Sequence, residues 1–214
     1  MENVTIRNYE KKDKDSVKNI AWQTSFLGKP GIDFFDNKDI FADALTGYYT
    51  SHEPDSCFVA EKDGKVIGYV MGTKDISDFR FAMAVNIIPL LLVRAVIDGS
   101  FFRKKTRVFI LSSFASIFKG EFKSPGACKG YPATVHINVE EGFRTKGLGS
   151  NMLDTFMNYM ASEKVEGVHA RTTSKEAKEF FENRGFTLLD QKKISFFARI
   201  LNEDCIHYFL GKKI

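Results

Sequence analysis

The sequence predicts an α/β fold, and three stretches carry that expectation. In "SCFVAEKDGKVIGYVMG", residues 56–72, the dipeptide Asp63-Gly64 separates two alternating apolar runs, the strongest short-range hairpin signal a sequence offers. The β-rich "YPATVHINVEE", residues 131–141, runs straight into the glycine-rich "EGFRTKGLGSN", residues 141–151, and a helical pattern follows. In "SKEAKEFFENRGF", Ala177, Phe180 and Phe181 share one helical face and Gly185 closes the C-terminal end.

Taken in order, "VTIRNYE" is β-prone. The polar "KKDKDSVKNIAWQTSFLG" then starts a helix, with Val17, Ile20, Ala21, Thr24 and Phe26 to Leu27 at mostly helical spacing. Gly28 and Pro30 stop it. "NKDIFADALTGYYTSH" repeats the pattern through Ile40, Phe41, Ala44, Leu45 and Tyr48, and the hairpin follows. Residues 76 to about 127 are rich in Phe, Ile and Leu, with a basic "FFRKKTR" between two apolar halves, and read as two or three amphipathic helices inserted between strands. The favoured expectation is a packed helical layer over the sheet or a homodimer contact; the alternative is a substrate lid or a membrane-surface element. Past the glycine stretch, Leu148, Met152, Leu153, Phe156, Met157 and Met160 define about four helical turns of core packing. "GVHART" starts another strand, and the tail supplies more. With no repeat and no linker, one domain is expected over residues 1–214.

Composition excludes several classes. The 214 residues are 43% hydrophobic, 14% aromatic and 27% charged, an ordinary globular balance. Thirty-one basic against 27 acidic residues leave +4, which suits an anionic small ligand and falls short of a nucleic-acid footprint. Cys57, Cys128 and Cys205 lack C-x-x-C spacing, so neither a disulfide framework nor a zinc site is expected. "MENVTIRNYEKKDKD" has no apolar core of a signal peptide. The most apolar run, residues 86–97, contains Pro89 and Arg94 and is shorter than the ~20 residues of a spanning helix. A cytoplasmic protein without a transmembrane segment is the expectation.

The order strand, glycine-rich turn, helix is the setting for an anion site, because the first helical turn has free N–H groups at the positive end of its dipole. Gly147 and Gly149 remove side chains that would hold phosphate away, while Arg144, Lys146 and Ser150 add charge or a donor. The stretch does not fit G-x-x-x-x-G-K-[ST], and "GLGSNM" stops short of G-x-G-x-x-G. A phosphate or nucleotide-like ligand is what the loop alone supports, beside a merely glycine-capped turn.

"VEEGFRTKGLG", from Val139 to Gly149, resembles the R/Q-x-x-G-x-G/A motif of the GNAT superfamily of N-acetyltransferases, and "AKEFFENRGF" its second signature, A-x-x-F-Y-x-x-x-G-F. The hairpin resembles that family's central strands, and "IRNYEKKDKDSVKNI" its opening strand and helix, so the resemblance covers both ends of the chain in order. It implies a mixed, mostly antiparallel sheet, splayed at its parallel pair and flanked by helices. It implies acetyl-coenzyme A as cofactor, held by Val139, Arg144, Thr145, Lys146, Gly147, Leu148, Gly149, Ser150, Ser174 and Phe181. The reaction implied is metal-free acetyl transfer to a primary amine of a small molecule or peptide.

The sequence departs from the family at several positions. Phe181 stands where many members have an acidic tyrosine, Ser174 where an asparagine is usual, and Ala133 and Val135 where a base often lies. "YPATVHINV" resembles a bacterial subgroup's Y-P-A-x-x-H-I-D run, with Asn138 in the aspartate's place. His136 is the candidate base, near neutral pH the natural one; Glu140, Glu141 and His169 also titrate nearby, and Tyr48, Tyr49 and Tyr131 are candidate proton donors. These departures support a second reading, an acyl-coenzyme A-binding sensor or interaction module without catalysis. A third is a membrane-surface protein led by the inserted helices.

Overall fold

A computed structural model describes residues 4–25, 35–121, 129–144, 147–196 and 205–214. Gly28 and Pro30, expected to stop the first helix, lie outside these residues, as does Cys128. A seven-stranded sheet, of order β1-β2-β3-β4-β5-β7-β6, gathers the described elements. Its strands are β1 (Val4–Asn8), β2 (Cys57–Lys62), β3 (Lys65–Met71), β4 (Ala133–Val139), β5 (Gly167–Thr172), β6 (Thr187–Ile194) and β7 (Cys205–Lys213). All neighbours are antiparallel except β4 and β5, which run parallel. The expected mixed, mostly antiparallel α/β architecture is therefore what forms.

The Asp63-Gly64 turn joins β2 to β3 with φ of 50° and 78°. Positive φ at both central residues is the twist that matches paired strands, and Gly adopts it without penalty. Just past the end of β3, Gly72 is fixed by crowding, because an added Cβ would run into the Thr134 carbonyl and the Phe156 ring.

Helices α6 (Leu148–Ser162) and α7 (Lys175–Asn183) pack on one face. There Leu148, Met152, Leu153, Phe156 and Met160 of α6 meet Ile67, Val70, Val135, Val168 and Ala170 of the sheet. On the other face, α1 (Lys14–Gln23) and α2 (Lys38–His52) cover Val59, Tyr69 and Met71 through Val17, Ile20, Ala21, Tyr48 and Tyr49. Asn37 caps α2 by accepting from the Ile40 amide at 3.0 Å.

The segment between β3 and β4 is helical, as expected, but differs in form. Helix α3 (Ile76–Ala82), a π-helical turn (Met83–Ile87) and α4 (Ile88–Ile97) make one continuous helix, and α5 (Lys104–Phe118) follows. The continuous part, Ile76–Ile97, has 22 residues, mean hydropathy 1.9 over its most apolar stretch and 17% burial of that stretch. By length and composition it is long enough to cross a bilayer, and it is longer than the apolar run 86–97 read from the sequence. Pro89 does not end the helix because the wider π turn lies just before it, where an α-helical carbonyl would collide with the proline ring. The segment rests on α2 and its surroundings: Leu91 and Ala95 join Trp22, Phe35, Ile40 and Phe41, and Phe109 sits 5.2 Å from the Phe35 ring. Arg94 pairs with Asp43 of α2 at 2.7 Å. The outward side stays bare, with Phe81 67%, Leu90 60%, Ile97 80%, Leu111 65% and Phe118 88% exposed.

Candidate active site

Strands β4 and β5 pair only from Ala133 to Val135, against Val168 to Ala170. Beyond Val135, β4 continues on β3 alone, from Met71 opposite His136 to Gly68 opposite Val139. The β5-facing backbone groups of residues 136–139 thus have no ladder partner, and buried peptide groups require one. The gap opens into a cavity of about 900 Å³ lined by Val135 to Val139, Arg144, Gly147, Gly149 and Ser150 at one side. Arg171 to Ser174, Phe180 and Phe181 line the other. Its far end is closed by Thr24, Ser25 and Leu45 from the α1–α2 layer, and by Ile194, Phe196 and His207.

The loop end is built by local chain geometry. A short turn at Glu141–Phe143 follows β4, and Gly147 then enters α6 with φ of 105°. An L side chain is strained at that angle, which is the reason for glycine there. Among the described residues no side chain caps α6, and its first turn presents amides at the positive end of the dipole. Gly149 differs: an added Cβ would only touch Phe180 at 3.5 Å, an ordinary contact. Arg144 donates from Nε to the Val139 carbonyl at 3.1 Å, which holds its guanidinium over the end of β4. Leu148 points the other way, into the core. Thr145 and Lys146 lie outside the described residues.

Ser174 lines the cavity while capping α7, accepting from the Ala177 amide at 3.1 Å and donating to Glu176 at 2.6 Å. Phe181 is 5% exposed and meets Phe186 edge-on at 5.1 Å. It walls the cavity and has no proton to give.

His136 points to the α1–α2 side of the gap, with Tyr69 edge-on at 5.5 Å. Asn138 Nδ2 lies 2.9 Å from His136 Nε2 and 2.8 Å from the Tyr69 hydroxyl. An amide N–H can only donate, so Nε2 is the acceptor and the ring proton sits on Nδ1. Burial pushes the His136 pKa down to about 4, so the ring is neutral at pH 7. The ring is a weaker base than the family resemblance leads one to expect.

His169 is fully buried and outside the cavity, its Nδ1–H donating to the Tyr131 carbonyl at 2.7 Å. Burial, helped by Arg171, lowers its pKa to about 4. Among the described residues no tyrosine lines the cavity: Tyr48 faces Thr73, Tyr49 lies in the core, and Tyr131 sits under Lys213. Glu140 and Glu141 also lie outside the lining, Glu140 pairing with Lys65 at 2.6 Å. Two basic lining residues escaped sequence reasoning. Arg171 stacks over Phe209 at 4.6 Å, and His207 on β7 is held to a pKa of about 4, first by burial and then by Arg171. Only the alternation of His169 and Arg171 in "GVHART" could have hinted at this charged face; nothing in "CIHYFLGKKI" marks His207.

No family model matches the chain. Among solved structures, SsHAT superposes with a TM-score of 0.72 at 21% identity, over 99% of this chain and 98% of that one. The polyamine N-acetyltransferase of Drosophila melanogaster gives 0.60 at 11% identity, over 99% and 100%. The acetyltransferase yncA from Salmonella typhimurium, solved with acetyl-CoA, gives 0.59 at 15% identity, over 98% and 93%. These likenesses establish the class: this chain has the splayed α/β fold of the GNAT N-acetyltransferases. In sequence, protein O-GlcNAcase of Rattus norvegicus is 34% identical over 87 residues, 41% of this chain, and that of Mus musculus matches equally. The matched stretch is only 9% of the length of those curated relatives.

Proposed function

We propose that this chain transfers the acetyl group of acetyl-coenzyme A to a primary amine of a small molecule or peptide, in the cytoplasm. The observation that carries the reading is the gap between β4 and β5, which joins the uncapped start of α6 to the α1–α2 layer through one cavity. The cavity falls within the range that holds cofactors, and the amides at Gly147 to Ser150, with Arg144 beside them, suit a pyrophosphate. The unpaired edge of β4 near Val139 suits the amide groups of a pantetheine arm. The yncA structure, solved with its cofactor acetyl-CoA, and the amine acetylation named for the Drosophila neighbour agree with this reading.

When bound, acetyl-coenzyme A supplies an activated thioester. The chain's own part is to bind and orient. Phe180 and Phe181 exclude water from the middle of the cavity, and the β5-facing backbone groups of residues 136–138, outside the strand ladders, offer hydrogen bonds there. His136, neutral and fixed by Asn138, orients polar groups more readily than it removes a proton from an ammonium. The acceptor amine therefore enters in its neutral form, and the rate rises with pH toward the amine's own pKa.

Isothermal titration with acetyl-coenzyme A tests the donor site: absence of binding to the intact chain refutes the proposal. Thiol release over a panel of primary amines then separates transfer from binding alone. The second reading, a binding module without catalysis, is favoured by Phe181 and by a cavity without tyrosine; donor binding with no thiol release for any amine would establish it.

A further inference from the structure

The apolar surface of the molecule is concentrated in one place. Of the fourteen large hydrophobic side chains that are exposed among the described residues, twelve lie between Phe81 and Phe118. They form coherent stripes: Leu90, Val93 and Ile97 along α4, and Leu111, Phe114 and Phe118 along α5. Helix α5 is also inverted relative to a soluble helix, since the residues it buries are Thr106, Ser112 and Ser116. Scattered exposed apolar residues need no explanation, but a contiguous face of this extent marks a contact surface.

Charge identifies what the face fits. Between Phe79 and Gly120 there are seven basic residues, Arg80, Arg94, Arg103, Lys104, Lys105, Arg107 and Lys119, and one acidic residue, Asp98. That stretch carries +6, so the remainder of the 31 basic and 27 acidic residues nets −2. The chain's net positive charge thus lies in this segment, where Arg94 turns inward to Asp43 of α2 and the other cations border the apolar stripes. Arg103, Lys104 and Arg107 are exposed at the start of α5, and Lys119 follows its end. Apolar stripes bordered by cations are the composition of a surface that sinks partly into an anionic bilayer. A second copy of the same face would set these cations against one another.

We propose that α4 and α5 dock this protein on an anionic membrane surface. The helices lie along the bilayer, because the buried edge of α4 stays packed on α2 through Leu91, Ala95 and the Arg94–Asp43 pair. This docking is independent of the acetyl-transfer reading. Phe109 of α5 touches Phe196 at 5.3 Å, and Phe196 lines the cavity, so the docked face lies next to the acceptor end.

Co-sedimentation with vesicles of equal parts phosphatidylcholine and phosphatidylserine, against phosphatidylcholine alone, tests it. The expected result is pelleting with the anionic vesicles, reduced by high salt. Lys104→Gln and Arg107→Gln each weaken partitioning about fivefold. Leu111→Glu weakens it about tenfold or more by removing one large apolar side chain from the bilayer. Thermal melts of these surface variants, matching the unaltered chain, show that the fold is intact. Equal pelleting with neutral vesicles, or none with anionic ones, overturns the proposal. So does a stable lipid-free dimer that Leu111→Glu disperses, since a second copy would then cover the face.

Discussion

Helices α5 and α6 are each fifteen residues long and comparably rich in large apolar side chains, yet they face opposite ways. Helix α6 turns Leu148, Met152, Leu153, Phe156 and Met160 into the sheet, leaving Asn151, Asp154 and Thr155 outside or at the rim. Helix α5 buries hydroxyls and shows Leu111, Phe114, Ile117 and Phe118 to the outside. Both have helical periodicity, and periodicity reports that a stripe exists without saying what it packs against. One stripe fills the core beneath the sheet, and the other is bare.

On that contrast, perturbations of the sheet and its α6 layer should be severe and those of α5 mild. The largest effect is expected from acid. His136, His169 and His207 are each held to a pKa of about 4 against an ordinary 6.5. Between these values the unfolded chain binds more protons than the folded one, so stability present above pH 6.5 is lost as pH falls toward 4. His169, which is fully buried, contributes up to about 3 kcal/mol across that window, and His136 and His207, which line the cavity, contribute less. Urea midpoints at several pH values would measure it, and a flat profile would contradict their neutral burial. Next, Phe156→Ala should cost about 3–5 kcal/mol, because Phe156 is fully buried between α6 and the sheet. Gly147→Val should cost about 1–3 kcal/mol through the positive φ and abolish acetyl-coenzyme A binding in calorimetry. At the low end, Phe118→Ala, at an 88% exposed position, should change stability by no more than about 0.5 kcal/mol. A large loss there would mean that α5 packs more closely than its bare stripe implies. In kinetics, His136→Ala is expected to leave the shape of the pH–rate profile above pH 5 unchanged; loss of a limb near neutrality would restore it as a base.

The elements that were legible in the sequence are those whose signal is local. Asp63-Gly64 fixes a hairpin by backbone twist, and Gly147 between a strand and an amphipathic run fixes an N-terminus open to anions. The opposite is true of the site's charged face. Arg171 and His207 meet only because β5 and β7 pair antiparallel across residues distant in the chain. Ser174, a cofactor contact implied by the family resemblance, lines the cavity while its hydroxyl also caps α7, a second role that the resemblance does not carry. The orientation of α5 depends on whether anything covers it, which no spacing encodes.

The π turn at Met83–Ile87 has a consequence for how this segment tolerates insertion and deletion. The side chains that hold the long helix to the body recur at every fourth position: Phe79, Met83, Ile87, Leu91 and Ala95. A regular helix has 3.6 residues per turn, so a four-residue repeat would wander about 40° at each step. The extra residue in the π turn resets that drift midway and keeps the row on one side. Making the turn regular while keeping every residue would rotate everything beyond it by about 100°, swinging Leu91 and Ala95 off α2 and breaking the Arg94–Asp43 pair. Deleting one residue within the turn, such as Ala84, instead removes the extra residue and leaves the row in place. The wide turn acts as a phase correction, and the direction in which the apolar face looks depends on one residue.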